Sequence, residues 1–388
     1  MSVVLLDGAK KPGAKILVSG GTRCNVTNTV VDEKDFWGGR STIVRRILRG
    51  FPVSDTIAFF REIGISLHEE ADGKLFPDSN RARDVLNALL REAERVGVRL
   101  CSDHRVLDVT REHDSFRVRT ARGDLTAAQV VLATGGRSLP KTGSDGAGLA
   151  IAERLGHTIV ETTPGLAPLL LSDENNAQSL HKQLTGVAHD AELTVWVDGK
   201  ATTRLTGSLL WTHFGLSGPV ALNASRHWMR AHIEHKRVAV TANLCPGRSF
   251  DEVDASLTAI GTERPKVSVQ SAVATAVPSS VAAALTQRLE IDSGLPLSQL
   301  RRDVRRRLAQ SLVEWKLRVV GTRGYNYAEV TAGGIALTEI DPASMESRVC
   351  PKLFLVGEML DVDGRIGGFN FQWSWATARI AAGGLTAA

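Results

Sequence analysis

The chain has 388 residues, of which 43% are hydrophobic and 23% are charged, and this composition is typical of a soluble protein with two or three domains. No apolar stretch approaches the roughly 20 residues that cross a bilayer, and the N-terminus lacks the basic region of a signal peptide. We therefore expect a cytoplasmic protein without a membrane partner. The four cysteines are far apart and form no CxxC pair, which argues against a metal site and against a disulfide framework.

The hydrophobic pattern predicts an N-terminal α/β region, a β-rich middle and a helical segment, after which glycine-rich strands return. Residues 3–6 form a predicted strand, and residues 129–133 form another that ends at a glycine turn at 134–136. The glycine-rich segment 16–28 is too polar after Val18 to continue as a strand, and we predict that it forms a loop. The other predicted elements are helices at 53–63 and 81–96, further strands between 98 and 133, alternating strands from 169 to 245, and mostly helices from 250 to 320.

The C-terminal region contains the most specific pattern. An apolar run at 353–356 predicts a buried strand that ends at residue 357, and a polar turn then leads to Gly367-Gly368 and a helical run at 371–382. Two glycines before a helix allow a planar ligand to approach the backbone, while the N–H groups of the helix N-terminus attract negative charge. A flavin needs both, because its pyrimidine edge becomes anionic on reduction. The pattern therefore predicts a cofactor site.

The net charge is +5, with clusters of basic residues at 301–307 and 316–323. A solvated helix face is the simplest explanation of such clusters, and attraction of an anionic dinucleotide or of nucleic acid is the alternative. No aromatic residue interrupts the 301–307 run, so stacking on single-stranded nucleic acid gains no support, and nucleic acid is not an expected partner. The sequence does not indicate an oligomeric state.

Four long segments carry further information. They are GAKILVSGGTRCNVTN (13–28), ATGGRSLPKTGSDG (133–146), THFGLSGP (212–219) and LFLVGEMLDVDGRIGGFNFQWSWATAR (353–379). In this order they resemble a family of bacterial flavoproteins, variously called aminoacetone oxidase-like or 3-dehydro-bile-acid reductase-like. That family is distantly similar to fumarate reductase flavoproteins. The resemblance covers nearly the whole chain.

The resemblance implies an α/β fold with a glutathione-reductase-like Rossmann domain that binds FAD, formed by residues 1–165 and 321–388. It also implies a β-rich, barrel-like substrate domain at 166–249 and a helical subdomain at 250–320. A Rossmann domain normally begins with a strand, a G-x-G-x-x-G loop and a helix, and this first β-α unit is missing here. We therefore expect that roughly 25 to 30 residues precede Met1 in the complete protein, and the alternative is a degenerate chain that no longer binds FAD. We expect the chain as given to bind FAD poorly or to aggregate.

Matched by position, the family's cofactor contacts fall on several parts of the chain. Asp7 would accept hydrogen bonds from the adenosine ribose, although an ordinary turn acid is the alternative. The 15–25 segment would lie beside the isoalloxazine ring, the 134–136 turn near the diphosphate and ribose, and the C-terminal segment near the ribityl chain and the ring. The residues implied in FAD binding are Asp7, Lys15, Ser19, Gly20, Gly21, Arg23, Cys24, Asn25, Val106, Thr134, Gly135, Gly136, Gly357, Glu358, Asp361, Asp363, Gly367, Gly368, Phe369 and Asn370.

Two residues are candidates for catalysis. His213, in the glycine- and proline-rich turn of the inserted domain, is the candidate for substrate proton chemistry, although a structural histidine is the simpler interpretation. Arg23 would favour negative charge on the flavin or substrate, and a surface salt bridge explains this arginine equally well. Cys24, as a lone cysteine, fits a structural role better than a nucleophilic one.

The predicted function is that of an FAD-dependent oxidoreductase that exchanges hydride between flavin N5 and a small organic substrate. The similarity to fumarate reductase flavoproteins favours NAD(P)H-linked reduction of an activated double bond, with NAD(P)H as a transient donor because no second complete G-x-G-x-x-G motif is present. Two alternatives stay open. One is an O2-using oxidase of an amine such as aminoacetone. The other is a non-catalytic flavin-fold or nucleic-acid-associated protein that uses the basic 301–323 stretch.

Overall fold

A computed structural model of the chain describes residues 2–172 and 179–387. The strands are β1 (Val4–Leu6), β2 (Thr27–Asn28), β3 (Phe36–Gly38), β4 (Leu67–Glu69), β5 (Lys74–Pro77), β6 (Arg99–Cys101), β7 (Val106–Glu112), β8 (Ser115–Thr120), β9 (Gly123–Ala127), β10 (Val130–Leu132), β11 (Ile159–Gly165), β12 (Leu169–Leu171), β13 (Ala188–Val197), β14 (Lys200–Thr212), β15 (Gly215–Ser217), β16 (Val238–Asn243), β17 (Trp315–Leu317), β18 (Val319–Thr322), β19 (Val330–Ile335), β20 (Leu353–Leu355) and β21 (Val362–Gly364). The helices are α1 (Ala14–Thr22), α2 (Ser41–Gly50), α3 (Val53–Glu62), α4 (Ala82–Arg95), α5 (Ala147–Arg154), α6 (Leu180–Gln183), α7 (Pro219–Ile233), α8 (Phe250–Glu263), α9 (Val269–Val273), α10 (Ser279–Arg288), α11 (Arg302–Val313) and α12 (Phe369–Ala387).

The chain divides into two compact units. The first unit consists of residues 1–164 and 328–388, and the second unit of residues 165–327. The sequence predicted internal boundaries at 165 and 321 and two insertions, 166–249 and 250–320. The strands and helices of both predicted insertions contribute to one apolar core, which is why they form a single unit.

The first unit contains two pairs of parallel strands, β1 with β6 and β10 with β20. The three residues of β20 are fully buried, in agreement with the predicted buried strand, whereas Val4, Leu5 and Val131 on β1 and β10 are 37%, 46% and 39% exposed. Parallel strands of one pair end at the same edge. The glycine turns that follow β10 and β20 therefore lie at one edge of that pair.

The first unit also contains the helices α1 to α5 and α12. The predicted helices at 53–63 and 81–96 are confirmed as α3 and α4, and the helical run at 371–382 lies within α12. The prediction of a loop throughout 16–28 was wrong, because Ala14–Thr22 forms α1 with a break at residues 19–21. Ile16 and Leu17 pack partly buried against an apolar cluster, and this burial stabilises the helix before the glycines interrupt it.

The second unit is built around a sheet of seven strands in the order β17-β16-β13-β14-β15-β12-β18, in which each strand runs antiparallel to its neighbours. The two end strands, β17 and β18, are separated along the chain only by Arg318. The two ends of the strand order therefore belong to one continuous segment of the chain. In the parts of the chain that the structure describes, no helix has the length and apolarity needed to cross a membrane.

Candidate functional site

The start of α12 lies directly against the backbone of residues 25–28. A methyl group on Gly368 would come within 2.4 Å of the carbonyl carbon and oxygen of Thr27, and the φ angle of Gly368 is +95°, so only glycine fits. The Asn25 amide, oriented so that its nitrogen donates to the carbonyls of Thr27 and Leu75, accepts a hydrogen bond from the Gly368 N–H at 3.0 Å. Two segments that the sequence singled out, the N-terminal glycine loop and the C-terminal glycine pair, are therefore in contact.

Buried polar side chains fix this contact. The Gln372 Oε1 accepts hydrogen bonds from the hydroxyls of Thr27 at 2.7 Å and Thr56 at 2.9 Å, and Asn28 Nδ2 donates to the carbonyl of Gly367 at 3.0 Å. All four side chains are at most 3% exposed. Because an unsatisfied buried polar group costs about 1–3 kcal/mol, each of these bonds holds the first turn of α12 in place. None of the four residues was predicted as a site residue, although Thr27 and Asn28 are the last two residues of the 13–28 motif.

A second group of residues meets at Glu358, which follows β20. Lys15, on α1, forms a salt bridge with Glu358 and donates a hydrogen bond from Nζ to Ser138 Oγ at 2.8 Å. Ser138 Oγ donates to Glu358 Oε1 at 2.6 Å, and the Thr331 N–H donates to the same oxygen at 3.0 Å. One carboxylate thus joins α1, the turn after β10 and β19. The predicted residues Lys15 and Glu358 are in direct contact.

The turn after β10 closes onto β19 through Thr331. The Thr331 Oγ1 accepts from the N–H groups of Arg137 at 2.7 Å and Ser138 at 3.1 Å. A methyl group on Gly136 would lie 2.3 Å from Thr331 Oγ1 and 3.0 Å from Glu358 Oε1, so this glycine allows the close approach. Ser138 and Thr331 were not predicted as site residues. The sequence feature that could have indicated them is a hydroxyl side chain close to a glycine pair, which occurs in both 133–146 and 324–334.

Arg23 has partners that account for its charge within the first unit. Its Nη1 lies 2.6 Å from Glu70 Oε1, and its guanidinium stacks over the Phe76 ring at 4.1 Å from the ring centroid. The hydrogen bond from Arg23 lowers the pKa of the Glu70 carboxyl. The surface salt bridge that the sequence left as an alternative is therefore present.

Cys24 lies fully buried in an apolar cluster with Val26, Phe60 and Val85. Burial raises the pKa of the Cys24 thiol to about 11, against a smaller lowering by the hydrogen bond to Ser19. A thiol with this pKa is protonated at neutral pH, and only the thiolate is a good nucleophile. Cys24 therefore has the properties of a core residue.

The four cysteines are free, which allows a direct test of this burial. In the folded protein at about pH 8, we expect iodoacetamide to modify the partly exposed Cys101 and to leave Cys24 unmodified, as measured by peptide mass spectrometry. In denaturing urea both should react. Rapid modification of Cys24 without denaturant would contradict the buried, protonated thiol.

Several other predicted residues have local structural partners. Asp7 Oδ1 accepts a hydrogen bond from the Ala9 N–H at 2.8 Å, as expected of a turn acid after β1. Phe369 is fully buried, and the centroid of its ring lies 6.2 Å from that of the Phe36 ring. The Asn370 amide bonds the N–H and carbonyl of Gly364 at 2.8 and 2.9 Å. The remaining positions are Val106 at the start of β7, Thr134 and Gly135 after β10, Gly357 after β20, Asp361 before β21 and the buried Asp363 within β21.

His213 lies in the second unit, in the turn between β14 and β15. Its side chain is exposed, and its ring packs edge-on against Phe214, with the two ring centroids 5.1 Å apart and the planes at 79°. Arg23, the other catalytic candidate, belongs to the first unit. His213 is thus accessible to solvent.

The residues of the first unit fit a flavin dinucleotide. Gly20 and Gly21 have φ angles of +53° and +66°, and a methyl group on Gly21 would meet nothing within 4 Å, so the backbone there is open to a flat ring. If FAD binds here, Lys15 would supply a cation for its diphosphate, Glu358 would supply acceptors for its hydroxyl groups, and the α12 N-terminus would attract negative charge. Among residues 2–172 and 179–387, no group of three or more His, Cys, Asp or Glu side chains could hold a metal ion.

Known proteins resemble the chain over its whole length. A family model described as HI0933-like protein Rossmann domain matches residues 1–384. A ribosomal RNA dihydrouridine synthase of Escherichia coli is 33% identical over 100% of this chain and 92% of its own length. A 3-dehydro-bile acid delta(4,6)-reductase of Clostridium scindens is 30% identical over 98% and 91%. Among solved structures, a quinol fumarate reductase of E. coli aligns with 98% of this chain and 64% of its own, at 13% identity and a TM-score of 0.46.

Proposed function

We propose that this protein, which belongs to the HI0933-like protein Rossmann domain family and is an FAD-dependent oxidoreductase, reduces a carbon–carbon double bond that is conjugated to a carbonyl group. Bound FAD supplies hydride exchange at its N5 atom. The observation that carries the proposal is the glycine-only contact at Gly368, which brings the N-terminus of α12 against the glycine loop of residues 19–28. This arrangement suits a flat ring that gains negative charge.

The site residues of the first unit would bind and orient the cofactor. Lys15 and Glu358 are already paired, and Ser138 and Thr331 hold the carboxylate in one orientation. A carboxylate fixed in this way is a preorganised acceptor for hydroxyl groups, and the neighbouring ammonium offsets phosphate charge. The partial positive charge at the start of α12 favours an anionic ring edge.

The names of two relatives favour this class of substrate. Dihydrouridine differs from uridine by two hydrogen atoms across a double bond conjugated to a ring carbonyl, and a 3-dehydro-Δ4,6 steroid has double bonds conjugated to its 3-oxo group. In both cases conjugation makes the β-carbon electrophilic. Hydride addition at the β-carbon and protonation of the α-carbon saturate the bond. A small enone with NAD(P)H as electron donor is our first candidate.

Uracil within RNA is the second candidate, favoured by the relative with 33% identity and by the distribution of charge. The second unit has 19 Lys and Arg against 14 Asp and Glu, whereas the first unit has 28 of each. The entire net charge of +5 therefore lies in the second unit. Such an excess favours association with a polyanion.

The experiment that tests the function follows the visible absorbance of the flavin under anaerobic conditions. NADPH or NADH should bleach the flavin, and a conjugated substrate should restore the absorbance, while its saturated counterpart should not. A 3-oxo-Δ4,6 steroid and a uridine-containing RNA represent the two candidates. If only O2 restores the absorbance and an amine such as aminoacetone bleaches it, the protein is an oxidase and the proposal is wrong.

His213 is the residue that we propose as proton donor to the α-carbon. We expect His213→Asn to lower kcat for the conjugated substrate by about 10²–10⁴, because general acid catalysis contributes in that range. Bleaching of the flavin by NADPH should continue at the original rate. His235→Asn is the matched control, since His235 is another exposed histidine of the second unit and has a φ of +55° that asparagine tolerates. Equal effects of the two substitutions would remove His213 from the mechanism.

A further inference from the structure

The side chains of His213, Phe214, Arg323 and Tyr327 in the second unit form a continuous series of ring contacts, which we call the stack. The His213 ring packs edge-on against Phe214, the Arg323 guanidinium lies 4.4 Å from the centre of the Phe214 ring, and the same guanidinium lies 3.4 Å from the centre of the Tyr327 ring. The stack ends at the surface, where Tyr327 is 50% exposed. His213 is exposed at the other end.

Backbone hydrogen bonds hold the members of the stack in place. The Phe214 carbonyl accepts from the Leu171 N–H at 3.1 Å, and the Arg323 N–H donates to the Pro168 carbonyl at 3.0 Å. The Tyr327 N–H donates to the Gly324 carbonyl at 3.1 Å, which closes the turn that presents the ring. The aromatic surface is therefore preorganised, and a ligand that stacks on it would lose little conformational entropy of the protein.

Among the described residues, the Arg323 guanidinium contacts aromatic rings and no carboxylate. In the described parts of the chain, no carboxylate lies within 4.0 Å of its guanidinium, in contrast to Arg305, which pairs with Asp254 at 2.8 Å. An arginine whose guanidinium contacts two aromatic rings keeps the N–H donors at its edge for a phosphate. The unit around it carries the whole positive excess of the protein.

We propose that the stack of His213, Phe214, Arg323 and Tyr327 is a docking platform for single-stranded RNA, in which Tyr327 stacks on one base and Arg323 binds the adjacent phosphate. Aromatic rings with interposed basic groups are the features by which proteins bind single strands. The basic 301–307 run has no aromatic residues, whereas aromatic and basic side chains lie together among these four residues. The proposal rests on the second candidate of the proposed function, but it concerns binding and not reduction.

The test is the affinity of the full protein for a fluorescent single-stranded RNA of about 12 nucleotides, measured by anisotropy at several salt concentrations. We expect Tyr327→Ala to weaken binding at least about fivefold, because stacking on one base contributes that much or more, and Tyr327→Phe to keep wild-type affinity. Arg323→Ala should weaken binding and reduce the slope of log K against log salt by about one. The melting temperature of each variant verifies that its fold is kept.

Arg237→Ala is the matched control for charge. Arg237 belongs to the same unit, is 90% exposed and has only a loose 3.9 Å contact with Asp198. The proposal is overturned if Tyr327→Ala binds RNA as tightly as the wild type, if Arg237→Ala and Arg323→Ala weaken binding equally, or if the wild-type protein does not bind. Because no turnover is required, these outcomes are independent of whether a conjugated double bond is reduced.

Discussion

A Gly368→Ala substitution is expected to destabilise the first unit by about 3–5 kcal/mol and to deprive the protein of its flavin. The new methyl group would lie 2.4 Å from the Thr27 carbonyl, and the φ of +95° is unfavourable for alanine. Backbone on both sides must then separate, which breaks the hydrogen bond from the Gly368 N–H to Asn25. Urea unfolding gives the change in the free energy of unfolding, and absorbance of the purified protein gives the flavin content.

The control for this substitution is Gly383→Ala in the same helix. A methyl group on Gly383 meets nothing within 4 Å, and alanine favours a helix interior by about 1 kcal/mol over glycine. Gly383→Ala should therefore retain flavin and unfold at an equal or higher urea concentration. If the two variants behaved alike, the close contact between Gly368 and Thr27 would have no importance for stability or cofactor binding.

A Glu358→Ala substitution is expected to raise the dissociation constant of FAD by about 100-fold, equivalent to about 2.7 kcal/mol. The change removes the anion of the Lys15 salt bridge and the acceptor for Ser138 and the Thr331 N–H, so the glycine turn after β10 keeps the Lys15–Ser138 hydrogen bond to α1 but loses the carboxylate that fixes both partners. Glu358→Gln should give an intermediate constant, because it keeps an oxygen acceptor and loses only the charge. Titration of apoprotein with FAD, followed by flavin fluorescence, measures these constants.

Glu234→Ala is the matched control, since the Glu234 and Lys236 side chains form a pair with both partners about half exposed. Exposed pairs contribute only about 0–1 kcal/mol, so this variant should bind FAD and unfold like the wild type. Unchanged FAD affinity in Glu358→Ala would show that the carboxylate has no part in cofactor binding. A loss in Glu234→Ala as large as in Glu358→Ala would point to an effect of net charge alone.

Local features of the site were predictable from the sequence. The apolar run at 353–356 and the helical run at 371–382 have periodicities that depend on neighbouring residues only, and they appear as β20 and within α12. The glycine pair at 367 and 368 can be read directly from the sequence, and the positive φ angles at both positions favour glycine. The family resemblance added the cofactor, which local periodicity does not specify.

Contacts between distant segments were not predictable in the same way. Lys15 and Glu358 are 343 positions apart, and nothing in their spacing indicates that they form a salt bridge. The spacing of Arg23 and Glu70 likewise does not indicate their salt bridge, which is one of the two explanations that the sequence left open for this arginine. The α1 helix was missed because its glycines suggested a loop, while burial of Ile16 and Leu17 stabilises the helical turn before them.

The strands β1 and β10 have a consequence for the behaviour of the protein in solution. Each pairs with a single described strand, and each presents apolar side chains, Val4, Leu5 and Val131, to solvent. The second edge of such a strand has a row of backbone donors and acceptors that serves as a template for any extended peptide. At high protein concentration, a second copy of the chain can supply the extended segment that pairs with this edge. Self-association should therefore grow with protein concentration, and it should begin at the sheet edges and not at the cofactor site.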